Sequence, residues 1–264
     1  MTTQNADILA VEHIDFRYRE KKILKDVSFS VTPGDICGLL GPNGSGKTTL
    51  LKCINRILSN ENGMIRIKGH DLSKLSRKEI AGLIAVVPQE LNIMFPFTVL
   101  QMVLMGGNGR FGFSGIPGRN DISDAMEVLV ELNMGHFAKR RYNQLSSGEK
   151  QMALIARALF QRAEIMLLDE PISHLDFKRQ YTIMELIKRI SADKNLTTVI
   201  TLHDPNIAGR YCNRLIMLNE GRIVHQGLRD NVFHAESLEA IYDMRIKIEY
   251  TDTGTEYVLP HHIQ

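Results

Sequence analysis

Residues 41–49 read Gly-Pro-Asn-Gly-Ser-Gly-Lys-Thr-Thr and set Gly41, Gly46, Lys47 and Thr48 into the pattern G-x-x-x-x-G-K-[ST]. Glycines at this spacing let successive backbone N–H groups converge on one anion, and a helix that starts there adds its partial positive charge. Lys47 would reach the β- and γ-phosphates of a nucleotide, the Thr48 hydroxyl would hold Mg²⁺, and Pro42, Asn43, Gly44, Ser45 and Thr49 complete the lining. A second group of polar residues falls where apolar runs stop. Ile165-Met-Leu-Leu168 ends in Asp169-Glu170, Ile84-Ala-Val-Val87 ends at Pro88-Gln89, and Thr197 to Leu202 ends in His203-Asp204. Asp169 is suited to holding Mg²⁺ through water and Glu170 to orienting or activating an attacking water. Together these residues describe nucleotide binding and phosphoryl transfer to water.

Such chemistry needs strand ends to carry it. The run Asp35 to Leu40 before the glycines suits a buried strand, and Thr49 to Ile54 after them has helical spacing, which gives the strand–loop–helix context the motif demands. The runs at 165–168 and 197–202 suit strands covered on both faces, as in a parallel sheet. Residues 8–18 and 26–31 carry near-alternate apolar positions and predict an antiparallel pair. Tyr18, at the end of that pair, reads either as a stacking partner for a purine or as a surface aromatic. Short strands are also expected at 64–67, 215–218 and 222–226, a helix near 236–242, and a closing hairpin through 246–250 and 257–259.

Between residues 91 and 160 strand signals are missing. Thr98 to Met105 is helix-compatible, Ile122, Ala125, Met126 and Leu129 mark a helix over 121–134 with Gly135 as its stop, and Ser146-Ser147-Gly148-Glu149 forms an S-x-x-E capping box. The stretch Gly107 to Gly112 spells G-x-G-x-x-G, but Phe113 to Gly118 brings two more glycines and Pro117, so a loop is expected there in place of a dinucleotide site. The predicted fold is therefore α/β: a P-loop NTPase core with an antiparallel β part over 1–90 and 161–245, a helical insertion over 91–160, and a C-terminal extension over 246–264, all in one domain of 264 residues.

Composition narrows the setting. Hydrophobic residues make up 44% and charged ones 23%, and a net charge of +2 is too small to point to nucleic acid. Three cysteines (Cys37, Cys53, Cys212) without C-x-x-C spacing predict reduced thiols. No apolar run approaches the length of a membrane span, and Met1 to Ala10 lacks a signal-peptide pattern, so the expected location is cytoplasmic. The terminal pair His261-His262 is expected to be inert.

Read together, these motifs resemble the ATP-binding subunit of ABC transporters over nearly the whole chain. GPNGSGKTT is similar to Walker A, Gln89 in VVPQE to the Q-loop, IMLLDE to Walker B with Glu170 as its catalytic carboxylate, Ser173-His174-Leu175-Asp176 to the D-loop, and His203 to the switch histidine that contacts γ-phosphate. Tyr18 matches the family's adenine-stacking aromatic. Leu145-Ser146-Ser147-Gly148-Glu149 resembles the LSGGQ signature, with Ser147 where glycine is usual; the added Cβ stands where backbone approaches phosphate. The resemblance implies ATP and Mg²⁺, the latter held by Thr48, Gln89 and Asp169, and ATP contacts from Ser146, Ser147, Gly148, Glu149 and Asp176 of a second copy in a head-to-tail dimer. It further implies permease subunits, indirectly a substrate-binding protein, and a place on the inner face of the membrane. Val99 to Gly106 and the SHLD segment resemble importers of ferric siderophores, haem or cobalamin; importers of molybdate or tungstate remain an alternative, as does a soluble ABC ATPase serving cofactor assembly or nucleic acid. A P-loop kinase would not need LSSGE, and a regulator without turnover would be expected to lack Glu170 or His203.

Overall fold

The computed structural model describes residues 7–91, 95–107, 111, 116–252 and 254–261. In chain order the elements are β1 (Leu9–Tyr18), β2 (Lys21–Val31), β3 (Ile36–Leu40), α1 (Lys47–Ile54), β4 (Asn62–Ile67), β5 (His70–Asp71), α2 (Arg77–Leu83), β6 (Ile84–Val87), α3 (Val99–Leu104), α4 (Arg119–Glu131), α5 (Ser147–Phe160), β7 (Ile165–Leu168), α6 (Phe177–Lys194), β8 (Thr197–Leu202), α7 (Pro205–Tyr211), β9 (Arg214–Asn219), β10 (Arg222–Leu228), α8 (Arg229–Val232), α9 (Ala235–Tyr242), β11 (Ile246–Tyr250) and β12 (Glu256–Pro260). They fall into two compact units, one of residues 1–75 with 188–264 and one of 76–187.

The first unit holds two sheets and a hairpin. β1 lies between β2 and β4, antiparallel to both, and Leu9, Val11, Ile14 and Phe16 turn buried side chains inward from it. β3 pairs in parallel with β8 on one side and β9 on the other, with β10 antiparallel to β9. Every residue of β3 and of β8 is buried, which is why both read as unbroken apolar or β-branched runs rather than alternating ones. β11 and β12 form the expected antiparallel hairpin. Asp35 anchors the start of β3: its carboxylate accepts from Thr32 N–H, Asn213 Nδ2 and Arg214 Nε, the last two at 2.8 Å. Burial alone would push the Asp35 carboxyl up, but the hydrogen bonds from Thr32 and Arg214 outweigh it and hold the group below the usual carboxylate range.

The second unit pairs β6 with β7 in parallel and packs α3, α4 and α5 together. Three of its helices open on reciprocal capping boxes: Ser76 with Glu79 at α2, Thr98 with Gln101 at α3, and Ser146 with Glu149 at α5. At α5 Ser146 N–H donates to Glu149 Oε2 at 2.7 Å, and these contacts from Ser146 hold the Glu149 carboxyl below its ordinary value. α5 is tied to β6 through Arg157, which donates to Val86 O at 3.1 Å.

Several boundaries differ from expectation. β2 starts at Lys21 rather than Asp26 because Arg19 (φ 50°) turns β1 directly back into it. α4 ends at Glu131, and the left-handed residue that turns the chain is Asn133 (φ 56°), not Gly135, which opens a short 3₁₀ turn. Asparagine tolerates that conformation well enough to take the glycine's place. The sequence reading places no helix at α2, α6 or α7, and each emerges in the structure. Of the Gly107 to Gly112 stretch, residues 108–110 and 112 lie outside the described residues, as does His262; the next described helix opens at Arg119.

Candidate nucleotide site

α1 differs from the capped helices of the second unit at its first turn. Its N-cap is Gly46, left-handed at φ 108°, and no side chain caps the helix. Gly46 has no side chain with which to accept from the first-turn N–H groups, unlike Ser76, Thr98 and Ser146 at α2, α3 and α5. A Cβ on Gly46 would also stand 2.9 Å from Leu24 Cδ2, so the position needs glycine on two counts.

Lys47 is buried, and its Nζ donates to Gly41 O at 2.8 Å and Pro42 O at 3.0 Å. The ammonium thus lies within the curve of residues 41–46, against carbonyl dipoles that a phosphate would replace as its partner. Ser45 Oγ is buried and has no hydrogen-bond partner among the described residues, an orphan that a phosphate oxygen would satisfy. Around it the loop is braced by a turn not singled out in the sequence. Gly221, between β9 and β10, donates its N–H to Ser45 O at 3.0 Å and accepts from Lys25 N–H at 2.8 Å. Its φ is 79°, and a Cβ there would come within 2.0 Å of Ile23 O.

His203 follows the last residue of β8, half-buried, and its carbonyl accepts the Tyr242 hydroxyl at 2.8 Å. Asp204 caps α7 by accepting from Asn206 N–H at 2.8 Å, with Pro205 at the first helical position. Tyr18 is 46% exposed at the end of β1, its ring edge-on to Phe16 with centroids 4.8 Å apart.

In the second unit the parallel pairing of β6 and β7 brings their C-terminal ends side by side, where open α/β sheets place ligand-facing groups. Asp169 N–H donates to Val87 O at 2.9 Å, which extends the ladder by one residue and sets Asp169-Glu170 beside Pro88-Gln89. Glu170 is left-handed at φ 46°; its carbonyl accepts both the N–H (3.3 Å) and the hydroxyl (3.0 Å) of Ser173, which hold the turn. Gln89 Nε2 donates to Glu170 Oε2 at 2.9 Å and lies 3.3 Å from Ser173 Oγ and 3.4 Å from His174 Nε2. Gln89, Glu170, Ser173 and His174 line one cavity of about 190 Å³ together with Ser147 from the first turn of α5. Asp176 starts α6, accepting from Arg179 N–H at 3.0 Å, and Arg179 in turn covers Gly148, where a Cβ would meet its Cδ at 2.9 Å.

Among the described residues no group of three or more His, Cys, Asp and Glu is placed to hold a metal ion on its own. No helix among the described residues is long and apolar enough to cross a membrane.

A glycine loop with its lysine folded inward, an uncapped helix behind it, and parallel strands ending in Asp-Glu, Gln and His define a P-loop nucleoside triphosphatase. Comparison with known proteins places it further. The profile of the ABC transporter family matches residues 24–173, and the chain belongs to that family as one of its ATP-hydrolysing cassettes. It is 40% identical over 255 residues to an uncharacterized ABC transporter ATP-binding protein of Methanocaldococcus jannaschii, covering 96% of this chain and 98% of that one. It is 36% identical to a protein named for iron chelatin transport in Helicobacter pylori (93% and 96% covered), and 34% identical to a hemin import ATP-binding protein of Bradyrhizobium diazoefficiens (96% and 94% covered). Among solved structures, an inward-facing transporter assigned to the metal-chelate type aligns with TM-score 0.86 at 30% identity, over 97% of this chain and 98% of that one. A cassette solved as a dimer in a post-hydrolysis state with ADP and Pi aligns with TM-score 0.74 at 28% identity, over 84% of this chain and 98% of that one.

Proposed function

We propose that this chain is the ATP-hydrolysing motor of an ABC importer for a metal chelate, working on the inner face of the cell membrane as a head-to-tail pair bound to permease subunits. The observation that carries the motor reading is the set of Gln89, Glu170 and Ser147 on a single cavity, with Gln89 hydrogen-bonded to Glu170. One residue of that set would activate water, one would report the nucleotide to the helices α3–α5, and one belongs to the segment that seals a neighbour's ATP.

In this reading Lys47 leaves Gly41 O and Pro42 O for the β- and γ-phosphates, while the N–H groups at the start of α1 and the orphan Ser45 hydroxyl take phosphate oxygens. Tyr18 stacks on the adenine. Thr48, Gln89 and Asp169 would hold Mg²⁺, which neutralises the charge on the transferred phosphoryl group. Glu170 holds the attacking water and His203 contacts the γ-phosphate. Ser146, Ser147, Gly148 and Glu149 at the mouth of α5, with Asp176, reach the ATP of the second copy, so each site needs both chains. ATP binds the closed pair better than the open one and so stabilises it, and loss of the γ-phosphate releases it. The cargo class rests on the relatives named for iron chelatin and hemin and on the metal-chelate type neighbour. A substrate-binding protein would deliver that cargo to the permease.

The test is Glu170→Gln. It keeps ATP binding, lowers turnover about 100-fold or more, and traps an ATP-dependent dimer seen by size-exclusion chromatography with light scattering. A variant that stays monomeric at saturating ATP contradicts the motor reading. Purification of the chain from its own membranes, followed by identification of the multi-span partner and its bound ligand, tests the cargo.

A further inference from the structure

The segment after β10 has no motif and no assigned role, yet its polar contacts converge on the loop that carries His203. Tyr242, the last residue of α9, donates its hydroxyl to His203 O at 2.8 Å. Three residues beyond His203, the Asn206 side chain is held at both ends by the hairpin strand β12, accepting from Val258 N–H at 2.8 Å and donating to Val258 O at 3.3 Å. The hairpin is fastened in its turn: Ile246 N–H donates to Glu239 Oε1 of α9 at 2.8 Å, and Glu256 pairs with the largely buried Arg229, whose Nε donates to Gly209 O of α7 at 3.0 Å. At its other contact α9 meets the brace of the phosphate loop. Asn219 Nδ2 donates to Ala240 O at 3.2 Å, and two residues later Gly221 N–H holds Ser45 O.

Three hydrogen bonds joined by two-residue stretches of chain therefore link Ser45, through Gly221, Asn219 and α9, to the His203 carbonyl. Tertiary bonds of this kind restrain the loop that follows β8. Burial and the nearby Asp204 carboxylate both push the Tyr242 hydroxyl up, so it stays protonated as a donor throughout the working pH range.

We propose that Tyr242, backed by α9 and the β11–β12 hairpin, is a positioning residue that sets His203 in register with the phosphate loop. It touches no reacting atom; it acts through the backbone of the residue that does. The inference rests on the reading of His203 as the γ-phosphate contact, and the experiment separates the two.

The experiment uses the full chain with Tyr242→Phe and His203→Ala, singly and combined. It measures kcat and KM for ATP, equilibrium ATP affinity and thermal melting. Tyr242→Phe keeps the ring and removes one hydrogen bond, so kcat is expected to fall roughly three- to tenfold with ATP affinity unchanged. In the His203→Ala background the same change has no further effect on the residual turnover, because the imidazole whose placement it governs is gone while the backbone carbonyl remains. Asn206→Ala gives the same pattern at smaller amplitude. Wild-type kcat in Tyr242→Phe overturns the proposal, and so does an equal loss with and without His203, or a loss of ATP affinity that tracks the melting temperature. If His203→Ala itself turns over like the parent chain, the assignment of His203 falls first and the positioning role falls with it.

Discussion

The phosphate loop of the first unit and the Gln89–Glu170 cluster of the second are built by opposite means. The loop is backbone: carbonyls of Gly41 and Pro42 hold Lys47, the Ser45 peptide is pinned by Gly221, and Lys47 and Ser45 are buried. The cluster is side chains: Gln89, Ser173 and His174 are all exposed and meet through terminal amide, hydroxyl and ring atoms. A buried backbone cradle cannot move without breaking hydrogen bonds that water does not replace, whereas exposed side-chain bonds exchange for water at a net cost of about a kcal/mol or less each. Under the proposed function, the contrast gives rigidity to the part that would recognise a fixed triphosphate and looseness to the part that would respond when the γ-phosphate arrives or leaves.

The sharpest test of that contrast is Lys47→Ala. It removes the one ammonium inside the loop, and ATP turnover is expected to fall by about 100- to 1,000-fold, read in a phosphate-release assay. Near-normal turnover would mean the backbone alone does the electrostatic work. Next comes Gly221→Ala, far from any motif along the chain. The positive φ and the approach to Ile23 O predict a loss of roughly 2–4 kcal/mol in denaturant unfolding, accompanied by weaker ATP binding. Gln89→Ala, in the exposed cluster, is expected to change stability by no more than about 0.5 kcal/mol, so a comparable loss there would erase the distinction.

Asp35→Asn probes the frame under the loop. The folded carboxyl is held below its unfolded value, so its contribution is present above about pH 4, the unfolded range, and fades as pH falls through the lower folded value. The variant should be less stable at neutral pH by about 1–3 kcal/mol and should lose less than the parent chain between pH 4 and pH 2 in acid-unfolding curves. The smallest change expected is Ser147→Gly, which removes a Cβ at the mouth of α5 and leaves hydrolysis equal or faster. A large loss of turnover would give the serine a role of its own.

How far this could be read in the sequence follows the range of each interaction. β3, β7 and β8 were plain because strands buried on both faces must be apolar throughout, and the α5 start was plain because Ser146 and Glu149 cap each other within one turn. That the Walker A loop, Gln89, Asp169, Glu170 and His203 fall at strand ends was legible for the same reason, since the apolar runs before them already mark those strands. The α7 start had a readable signal in Asp204-Pro205, an N-cap followed by proline at the first helical position. Contacts such as Tyr242 with His203, 39 residues apart, or Gly221 with Ser45, had none, since spacing along the chain says nothing about partners brought together by folding. The stop of α4 was misplaced because glycine is the commonest left-handed residue but not the only one.

The inward fold of Lys47 has a thermodynamic corollary. Two peptide oxygens of the same turn act as internal ligands to the ammonium. Any anion that draws the ammonium outward must therefore compete with these two oxygens, so its net gain is the difference between two sets of contacts.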